Sequence, residues 1–306
     1  TGCGSTYYLA EFAAALMQRQ AGIRCRAYPG SELALFPATG FTPPARTLLI
    51  AISRSGETTE TIEAVQLFKA RYDGQTMLIG CYSESTLAQL TDLTLIIDSA
   101  REESIAQTRS FSSMALVVQA LAGLFSGADL ALDGLPGVAA RLIERYGGLA
   151  EALGYSPEIV RFFFLGSDVL YGLACEAMLK MKEMSLSYSE AYHMLEFRHG
   201  PMSMVDDQTL VVGLLSDAAY RHEVAVLRDM KTRGAQVLAL AEQDHGELAE
   251  LGHVVALESG LPAAARAIAY LPVLQLMAFH RAIRNGQDPD HAGNLNAVVV
   301  LDNLQA

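Results

Sequence analysis

The sequence predicts an α/β protein made of two similar units, each a parallel sheet covered by helices on both faces. Two observations lead to this fold class. Short apolar runs with the length of buried strands alternate with longer helical patterns along the chain. The same order of strands, turns and helices then restarts, with matching positions about 160 residues apart, which indicates a duplicated unit.

Size and charge narrow the class of protein. The chain has 306 residues, which suggests two domains or one large one, and 51% of the residues are hydrophobic, which is ample for a core. Its net charge of −12 argues against nucleic acid and anionic membranes as partners, whereas an anionic small substrate needs only local donors. No purely apolar run is long enough to span a membrane. Because the chain begins at Thr1 and not at a methionine, we expect further residues upstream.

The four cysteines are scattered through apolar stretches and form no C-x-x-C pair. Such cysteines are typical of buried free thiols in a reducing compartment, and less so of disulfides or zinc ligands. We therefore expect a cytoplasmic protein with free thiols. The four residues are Cys3, Cys25, Cys81 and Cys175.

The first half opens with a strand-to-helix turn at residues 1–6 and continues as alternating strands and helices. The predicted strands are Ile23–Tyr28, Leu48–Ile52, Thr76–Cys81 and Leu93–Ile97. The predicted helices are Tyr7–Gln20, a helix that follows residue 59 and ends near Gly74, and Leu87–Leu90, Ser112–Phe125 and Pro136–Leu153.

A turn rich in hydroxyl groups joins the predicted strand Leu48–Ile52 to the next helix. Residues 53–59 contain four Ser or Thr side chains and one glycine, Gly56, which lets the backbone approach a ligand closely. Free N–H groups and the positive end of the helix dipole favour a phosphate at such a turn. A helix cap uses the same residue types, but needs only one or two hydroxyls. The turn therefore predicts a phosphate site, formed by Ser53, Ser55 and Thr58.

The second half repeats this order. A strand and turn over Phe162–Ser167 matches the opening turn, and Thr209–Leu215 matches the strand before the Ser/Thr turn. A helix over Val224–Arg233 and a strand over Val237–Ala241 follow. Residues 217–219 read Asp-Ala-Ala where the first copy has hydroxyls, so we expect that only the first copy keeps the phosphate chemistry. We expect the boundary between Gly147 and Pro157, giving domains 1–150 and 151–306.

The predicted helix Leu173–Ser185 carries one charged stripe on an otherwise apolar surface. Glu176, Lys180 and Glu183 are spaced four and three residues apart, which places them on one side of a helix. A solvated Glu–Lys pair would have the same spacing. The rest of the helix is apolar, which favours burial of these three charged residues and therefore a functional role for them.

All seven histidines lie in the second half. His199 precedes Gly-Pro, so we expect it in a turn and not in a helix. A loop histidine that bonds to backbone is the alternative interpretation. A metal site formed by Glu196 and His199 is weakly supported, because helical di-metal sites need two Glu-x-x-His pairs. We interpret the other six histidines as surface or packing residues.

Five ordered motifs give the chain a resemblance to a known family. They are Ser53-Arg54-Ser55-Gly56-Glu57-Thr58, Thr108-Arg109-Ser110-Phe111, Glu176-Ala177-Met178-Leu179-Lys180-Met181-Lys182-Glu183, Glu190-Ala191-Tyr192 and His199-Gly200-Pro201. Together they resemble the tandem sugar-isomerase (SIS) domain family, which implies two flavodoxin-like domains. The similar branch contains the isomerase half of glucosamine-6-phosphate synthases, amino-sugar-phosphate deaminases and fructosamine-phosphate deglycases.

The resemblance implies a role for each matching residue. The phosphate cradle would be Ser53, Ser55 and Thr58, with Arg54 beside it, Thr6 on the opening turn, and the backbone of Ile105 near the sugar. Glu183 would be the proton-shuttling carboxylate, with Lys180 and Glu176 as its polar neighbours. His199 would open the sugar ring, and in the family this histidine comes from the partner subunit of a homodimer.

One position departs from the family's pattern. The synthases carry a lysine in the C-terminal tail that forms a Schiff base with the open ketose, and here its place is taken by Ala297. A glutamine-hydrolysing domain is also not part of this sequence. We therefore do not expect a complete glutamine-dependent synthase.

The resulting expectation is an enzyme that acts on a sugar 6-phosphate, either as an aldose–ketose isomerase or as an amino-sugar-phosphate deaminase. Glu183 and His199 would move the protons, and neither a metal nor an organic cofactor is implied. The alternative is a non-catalytic module that senses a phosphosugar. A sensor needs the cradle but neither the acid nor the base. A third option is an inactive paralogue retained for assembly.

Overall fold

A computed structural model describes residues 1–41, 46–244, 246–293, 295–296 and 298–301 of the chain. The predicted fold class is confirmed: parallel sheets are flanked by helices. The chain divides into two compact units. The first comprises residues 1–127 and 294–306, and the second comprises residues 128–293.

The first unit contains a parallel sheet of three strands in the order β1-β2-β3. Its elements are α1 (Ser5–Ala21), α2 (Gly30–Leu35), α3 (Pro37–Gly40), β1 (Thr47–Ser53), α4 (Thr59–Arg71), β2 (Gly74–Gly80), α5 (Thr86–Leu90), β3 (Leu93–Ile96) and α6 (Arg109–Ser126). Strand β1 becomes buried toward its carboxyl end, and α4 covers it with Ala64, Val65 and Phe68. These residues lie on one face of the helix because four residues make about one turn. The core therefore fixes the end of β1, from which the Ser/Thr turn begins.

One predicted strand of this unit is wrong. Residues 22–28 form neither strand nor helix, and Ile23 is 40% exposed. A strand needs a neighbouring backbone to pair with. Among the described residues, the neighbouring segment offers a single parallel bridge, between Gly2 and Pro29, just beyond the predicted strand.

The second unit contains a parallel sheet of five strands in the order β5-β4-β6-β7-β8. Its elements are α7 (Leu135–Tyr155), β4 (Arg161–Gly166), α8 (Val169–Ser185), β5 (Tyr188–His193), β6 (Thr209–Leu214), α9 (Tyr220–Thr232), β7 (Gln236–Ala241), β8 (His253–Ala256), α10 (Ala263–Arg266) and α11 (Leu271–Arg284). Strand β4 alternates its side chains between two covered faces. Phe163 and Leu165 pack in the cluster that contains residues of α9. Phe162 lies under the Arg281 guanidinium of α11 on the other face. Burial on both faces explains why these strands are apolar throughout.

The division between the units falls earlier than we expected. Helix α7 packs along α11, and its Tyr146 hydroxyl accepts a hydrogen bond from the amide of Ala256, so this helix belongs to the second unit. A break in composition near residue 150 therefore does not mark a break in packing. The residues that follow 293 belong to the first unit.

No helix in the described part of the chain combines the length and the apolar character needed to cross a bilayer. Free thiols were also expected, and the four cysteines carry no disulfide. Cys81 and Cys175 are buried as expected, whereas Cys3 and Cys25 are partly exposed.

Candidate functional site

The Ser/Thr turn after β1 has a defined backbone conformation. Ser53 Oγ accepts a hydrogen bond from the amide of Gly56 at 3.0 Å, and Ser55 Oγ accepts one from the amide of Glu57 at 3.2 Å. Gly56 has a φ of 68°, and a Cβ atom there would lie 2.2 Å from Ser85 Oγ. Only glycine fits both conditions. The turn is therefore held in place before any ligand binds.

Hydrogen-bond donors remain available at this turn. Thr58 is the N-cap residue of α4, but its side chain makes no capping hydrogen bond. Among the described residues, the amides of Ser55 and Thr58 and the Thr58 hydroxyl also have no partner. A helix start with open amides and hydroxyls is suited to an anion. The capping alternative therefore does not account for Thr58.

Arg54 is buried, and its guanidinium bonds to backbone carbonyls. Its side chain is 7% exposed, and its Nη1 donates hydrogen bonds to the carbonyl of Ser104 at 2.8 Å and of Ile105 at 3.1 Å. The guanidinium thus ties the Ser/Thr turn to the segment that contains Ile105. The structure therefore brings the predicted site residues Arg54 and Ile105 together, and Arg54 positions the backbone of Ile105.

Glu102 is a residue that the sequence interpretation missed. Its carboxylate is 7% exposed and accepts hydrogen bonds from the amides of Thr108, Arg109 and Ser110, the last two at 3.0 and 3.1 Å. It therefore caps the start of α6 from six to eight residues away. It also lies 4.0 Å from the Arg54 guanidinium. An acidic residue shortly before a Thr-Arg-Ser helix start was the available signal.

Thr6 uses its hydroxyl within its own turn. The Oγ1 atom accepts from the amide of Cys3 at 3.0 Å and donates to the carbonyl of the same residue at 2.9 Å. The side chain is buried, at 4% exposure. In this structure Thr6 therefore stabilises the opening turn.

The C-terminal segment lies at the start of α4. The amide of Thr59 donates to the carbonyl of Val299 at 3.4 Å, and Thr59 Oγ1 accepts from the amide of Leu301 at 2.9 Å. Residues 298–301 therefore rest beside the Ser/Thr turn. Ala297, the position where the family has its tail lysine, lies outside the described residues.

In the second unit, α8 brings the three predicted charges together. The Nζ of Lys180 lies 2.5 Å from Glu183 Oε2 and 3.4 Å from Glu176 Oε1. The Lys180 and Glu176 side chains are 1% and 0% exposed, whereas Glu183 is 20% exposed. The prediction of burial is confirmed for the first two. Glu183 is the carboxylate of this group that reaches solvent.

The charge of this group follows from its burial and geometry. Burial favours neutral Lys180, but the carboxylates of Glu176 and Glu183 outweigh it and raise the pKa of the ammonium above its ordinary value. Lys180 therefore stays charged at neutral pH between two carboxylates. A fixed cation beside a partly exposed carboxylate positions that carboxylate for proton transfer and can also stabilise a developing oxyanion.

His199 lies at the end of a short 3-10 helix, Glu196–Arg198, as expected for a residue in a turn. Its amide donates to the carbonyl of Glu196 at 2.9 Å, and its imidazole is exposed. Within the described ranges, the imidazole has no hydrogen-bond or ion-pair partner, so the structure does not join it to the group on α8. Across those same ranges, no three His, Cys, Asp or Glu residues are grouped as metal ligands.

Comparison with known proteins identifies the family. The SIS domain matches residues 1–124 and again residues 158–284. The chain belongs to the SIS-domain family. The two matches agree with the duplication inferred from the sequence, and the predicted resemblance to the SIS family is confirmed.

This SIS-domain chain is similar in sequence to several curated proteins. It is 29% identical over 315 residues to the glutamine–fructose-6-phosphate aminotransferase (isomerizing) of Xylella fastidiosa, a match that covers 98% of this chain and 51% of the relative. The Helicobacter pylori protein of the same name is 30% identical, with the same coverage. The chain thus spans about half the length of the curated relatives it matches.

Solved structures give a similar result. The glucosamine-6-phosphate deaminase of Thermotoga maritima is 31% identical, with a TM-score of 0.83 over 98% of this chain and 89% of that one. The tagatose-6-phosphate ketose/aldose isomerase of Escherichia coli has a TM-score of 0.87 at 23% identity, over 100% of this chain and 85% of that one. The second match supports the shared fold. The first match agrees with membership of the SIS family.

Proposed function

We propose that this chain is an enzyme that moves a proton between two carbons of a sugar 6-phosphate. The observation that carries the proposal is the group on α8. A partly exposed carboxylate, Glu183, contacts a fully buried ammonium, Lys180, which a second buried carboxylate also neutralises. A sensor would need neither the buried charges nor a positioned base, and such charges are costly to bury without a function.

In this proposal the Ser/Thr turn binds the phosphate. The open amides of Ser55 and Thr58 and the hydroxyls of the turn donate to the phosphate oxygens, and the dipole of α4 adds to their attraction. Arg54 holds the backbone of Ile105 in place beside the turn. The phosphate thus anchors the substrate at this turn.

The chemistry needs an open-chain sugar. We assign ring opening to His199, which would carry a proton from the anomeric hydroxyl to the ring oxygen. Glu183 would then remove the proton from C2 and return one to C1, or the reverse, with Lys180 beside the developing oxyanion. Proton transfers by positioned groups each contribute about 10²–10⁴-fold to rate. The exposed imidazole of His199 has no partner among the described residues, which suits its proposed contribution to the site of a second subunit in a homodimer.

An amino sugar is the substrate that the comparisons favour. The Thermotoga maritima relative, named as a glucosamine-6-phosphate deaminase, is 31% identical over nearly the whole chain. With glucosamine 6-phosphate, removal of the C2 proton gives an enolamine, and protonation at C1 gives a C2 imine. Water adds to the imine carbon, the C–N bond breaks, and ammonia and fructose 6-phosphate result. No oxidant or reductant is consumed in this sequence.

A proton NMR time course in D₂O tests this function. Purified protein is incubated separately with glucosamine 6-phosphate and fructose 6-phosphate, and ammonia is measured in parallel. We expect deuterium at C1 or C2 with both substrates and ammonia from the amino sugar. Exchange without ammonia would indicate an isomerase. Binding of both compounds without any exchange would overturn the enzyme assignment in favour of a phosphosugar sensor.

A further inference from the structure

The second unit has a cavity that the proposed reaction does not use. It has a volume of about 610 Å³ and lies at the carboxyl ends of β6 and β7. Its walls are the turn after β6, the first residues of α9 and the residues that follow β7. In α/β folds with parallel sheets, ligands bind outside the carboxyl ends of the strands. Glu183 and His199 are not among its lining residues.

The turn in this cavity is the structural counterpart of the Ser/Thr turn. Ser216 Oγ accepts a hydrogen bond from the amide of Ala219 at 3.1 Å, and Ser53 Oγ accepts one from the amide of Gly56 at 3.0 Å. The two serines occupy the same place in their turns and are 163 positions apart (216 − 53). The same offset places Arg221 at the position of Thr58 and His222 at the position of Thr59.

Arg221 and His222 are unusual at the place where they lie. They belong to the first turn of α9, a helix of 13 residues, where the dipole favours acidic side chains and disfavours cations. Both line the cavity and are exposed, and in the described part of the chain neither side chain has a hydrogen-bond or ion-pair partner. Unpaired basic side chains at the positive end of a helix indicate that an anion completes their environment.

The acidic residue of this helix start does not fill that role. Glu223 is completely buried, and its Oε2 accepts from the amide of Ser216 at 2.6 Å and from its hydroxyl at 3.1 Å. Through these two hydrogen bonds, Glu223 holds Ser216 and the turn in place. The amides of Asp217 and Ala218, both in the cavity wall, have no partner within the described ranges. The cavity thus offers backbone donors in addition to two basic side chains.

The cavity lining also carries acceptors. Asp217 and Glu242 both line it, and both contact the buried guanidinium of Arg266, which Glu242 approaches to 3.4 Å. The arginine neutralises the pair without occupying the cavity. Asp217 is 62% exposed and bonds to Arg266 through Oδ1, which leaves Oδ2 for a ligand hydroxyl. Backbone and basic donors together with a carboxylate acceptor at Asp217 match a phosphorylated polyol better than a bare anion.

We propose that this cavity is a second binding site for a sugar phosphate, in which Arg221 and His222 bind the phosphate and Asp217 accepts a hydroxyl. The proposal differs from our sequence-based expectation that only the first copy keeps phosphate chemistry, since basic side chains would replace the hydroxyls of the first copy. A ligand bound there would be distinct from the substrate at the Ser/Thr turn.

Isothermal titration of the full chain with fructose 6-phosphate tests the second site by stoichiometry. We expect two equivalents per chain for the unaltered protein and one for Arg221→Ala/His222→Ala. Ser55→Ala/Thr58→Ala should also bind one equivalent, but through the other site. The matched control Arg233→Ala/His253→Ala removes an exposed arginine and an exposed histidine outside the cavity lining and should keep both equivalents.

Two further readouts separate the outcomes. Turnover by Arg221→Ala/His222→Ala should stay near that of the unaltered protein, so failure of the second site is distinguishable from failure of the proposed function. Inorganic phosphate should bind the second site at least about tenfold more weakly than the sugar phosphate, and Asp217→Ala should remove that difference. Two equivalents retained by Arg221→Ala/His222→Ala, or a single equivalent in the unaltered protein that this double variant still binds, would overturn the second site. A single equivalent that this variant loses would instead overturn phosphate binding at the Ser/Thr turn.

Discussion

The two copies of the strand–turn–helix unit share a backbone and differ in the chemistry of its side chains. Gly4 at the start of α1 has φ 57° and ψ −128°, and Asp168 at the start of α8 has φ 54° and ψ −129°. The fold therefore keeps this turn even where a non-glycine residue must occupy a conformation that favours glycine, at a cost of about 1–3 kcal/mol. The two copies therefore have the same turn geometry, while the groups that can contact a ligand differ.

The difference is largest in the charges that each copy buries. The first copy buries Arg54 and Glu102, which connect a turn to a neighbouring segment and a helix start. The second copy buries Lys180 and Glu176 beside the more exposed Glu183. The first set holds backbone in place, and the second leaves one carboxylate available. In the proposed function, ligand positioning falls to the first copy and proton transfer to the second, and the following changes test this division.

Glu183→Gln is expected to have the largest effect. Glutamine keeps the shape of the side chain but cannot accept a proton, so kcat should fall by about 10²–10⁴-fold. Affinity for fructose 6-phosphate should stay within about threefold, because the proposed phosphate site is the Ser/Thr turn and does not include Glu183. Stopped-time ammonia assays measure kcat, and calorimetric titration measures the affinity for fructose 6-phosphate. Normal turnover in this variant would remove Glu183 from the reaction.

Lys180→Met tests the buried charges of the second copy. It leaves Glu176 buried beside an apolar side chain, which should lower the free energy of unfolding by about 3–5 kcal/mol. Lys182→Met is the matched control, because Lys182 is an exposed lysine on the same helix and should change stability by less than about 0.5 kcal/mol. Urea unfolding at pH 7 measures both. Equal stability of the two variants would contradict a buried ion pair.

The difference in unfolding free energy between the unaltered protein and Lys180→Met should depend on pH in a defined direction. The carboxylates raise the pKa of Lys180 in the folded chain above its ordinary value of 10.5. The stabilisation is therefore complete below about pH 10.5 and is lost as the pH rises through the folded-state pKa. The gap in unfolding free energy between the unaltered protein and Lys180→Met should be constant from pH 7 to 9 and shrink in more alkaline solution.

Sequence reasoning predicted the fold and the local groups, because both depend on periodicity. The spacing of Glu176, Lys180 and Glu183 was sufficient to place them on one face of a helix, and the structure confirms their contact. It could not show that Arg54 bonds to carbonyls 50 and 51 residues away, because such contacts depend on tertiary packing. The missing strand at residues 22–28 has the same cause: apolar character does not reveal whether a neighbour is there to pair with.

Gly56→Ala compares the two turns directly. An L-residue at the Gly56 φ of 68° costs about 1–2 kcal/mol, and its Cβ would also lie 2.2 Å from Ser85 Oγ. The counterpart Ala219 has a φ of −117°, so Ala219→Gly should cost only about 0.5–1 kcal/mol. Urea unfolding gives both values. A smaller loss for Gly56→Ala than for Ala219→Gly would show that the first turn rearranges freely.

Arg54→Ala should have the smallest effect on turnover, because in the proposed function Arg54 positions backbone and takes no part in proton transfer. Loss of its charge-assisted hydrogen bonds to Ser104 and Ile105 weakens the hold on that segment by about 1.5–3 kcal/mol, so we expect kcat/KM to fall about tenfold, mainly through KM. Arg54→Lys should recover little, since an ammonium cannot reproduce the guanidinium fork.

The control for this change is Arg71→Ala, which removes an exposed arginine at the end of α4 and should leave both constants unchanged. A fall in kcat at constant KM would mean that Arg54 acts in the transition state itself. The first copy would then contribute to the chemical step, and the division of positioning and proton transfer between the two copies would no longer hold.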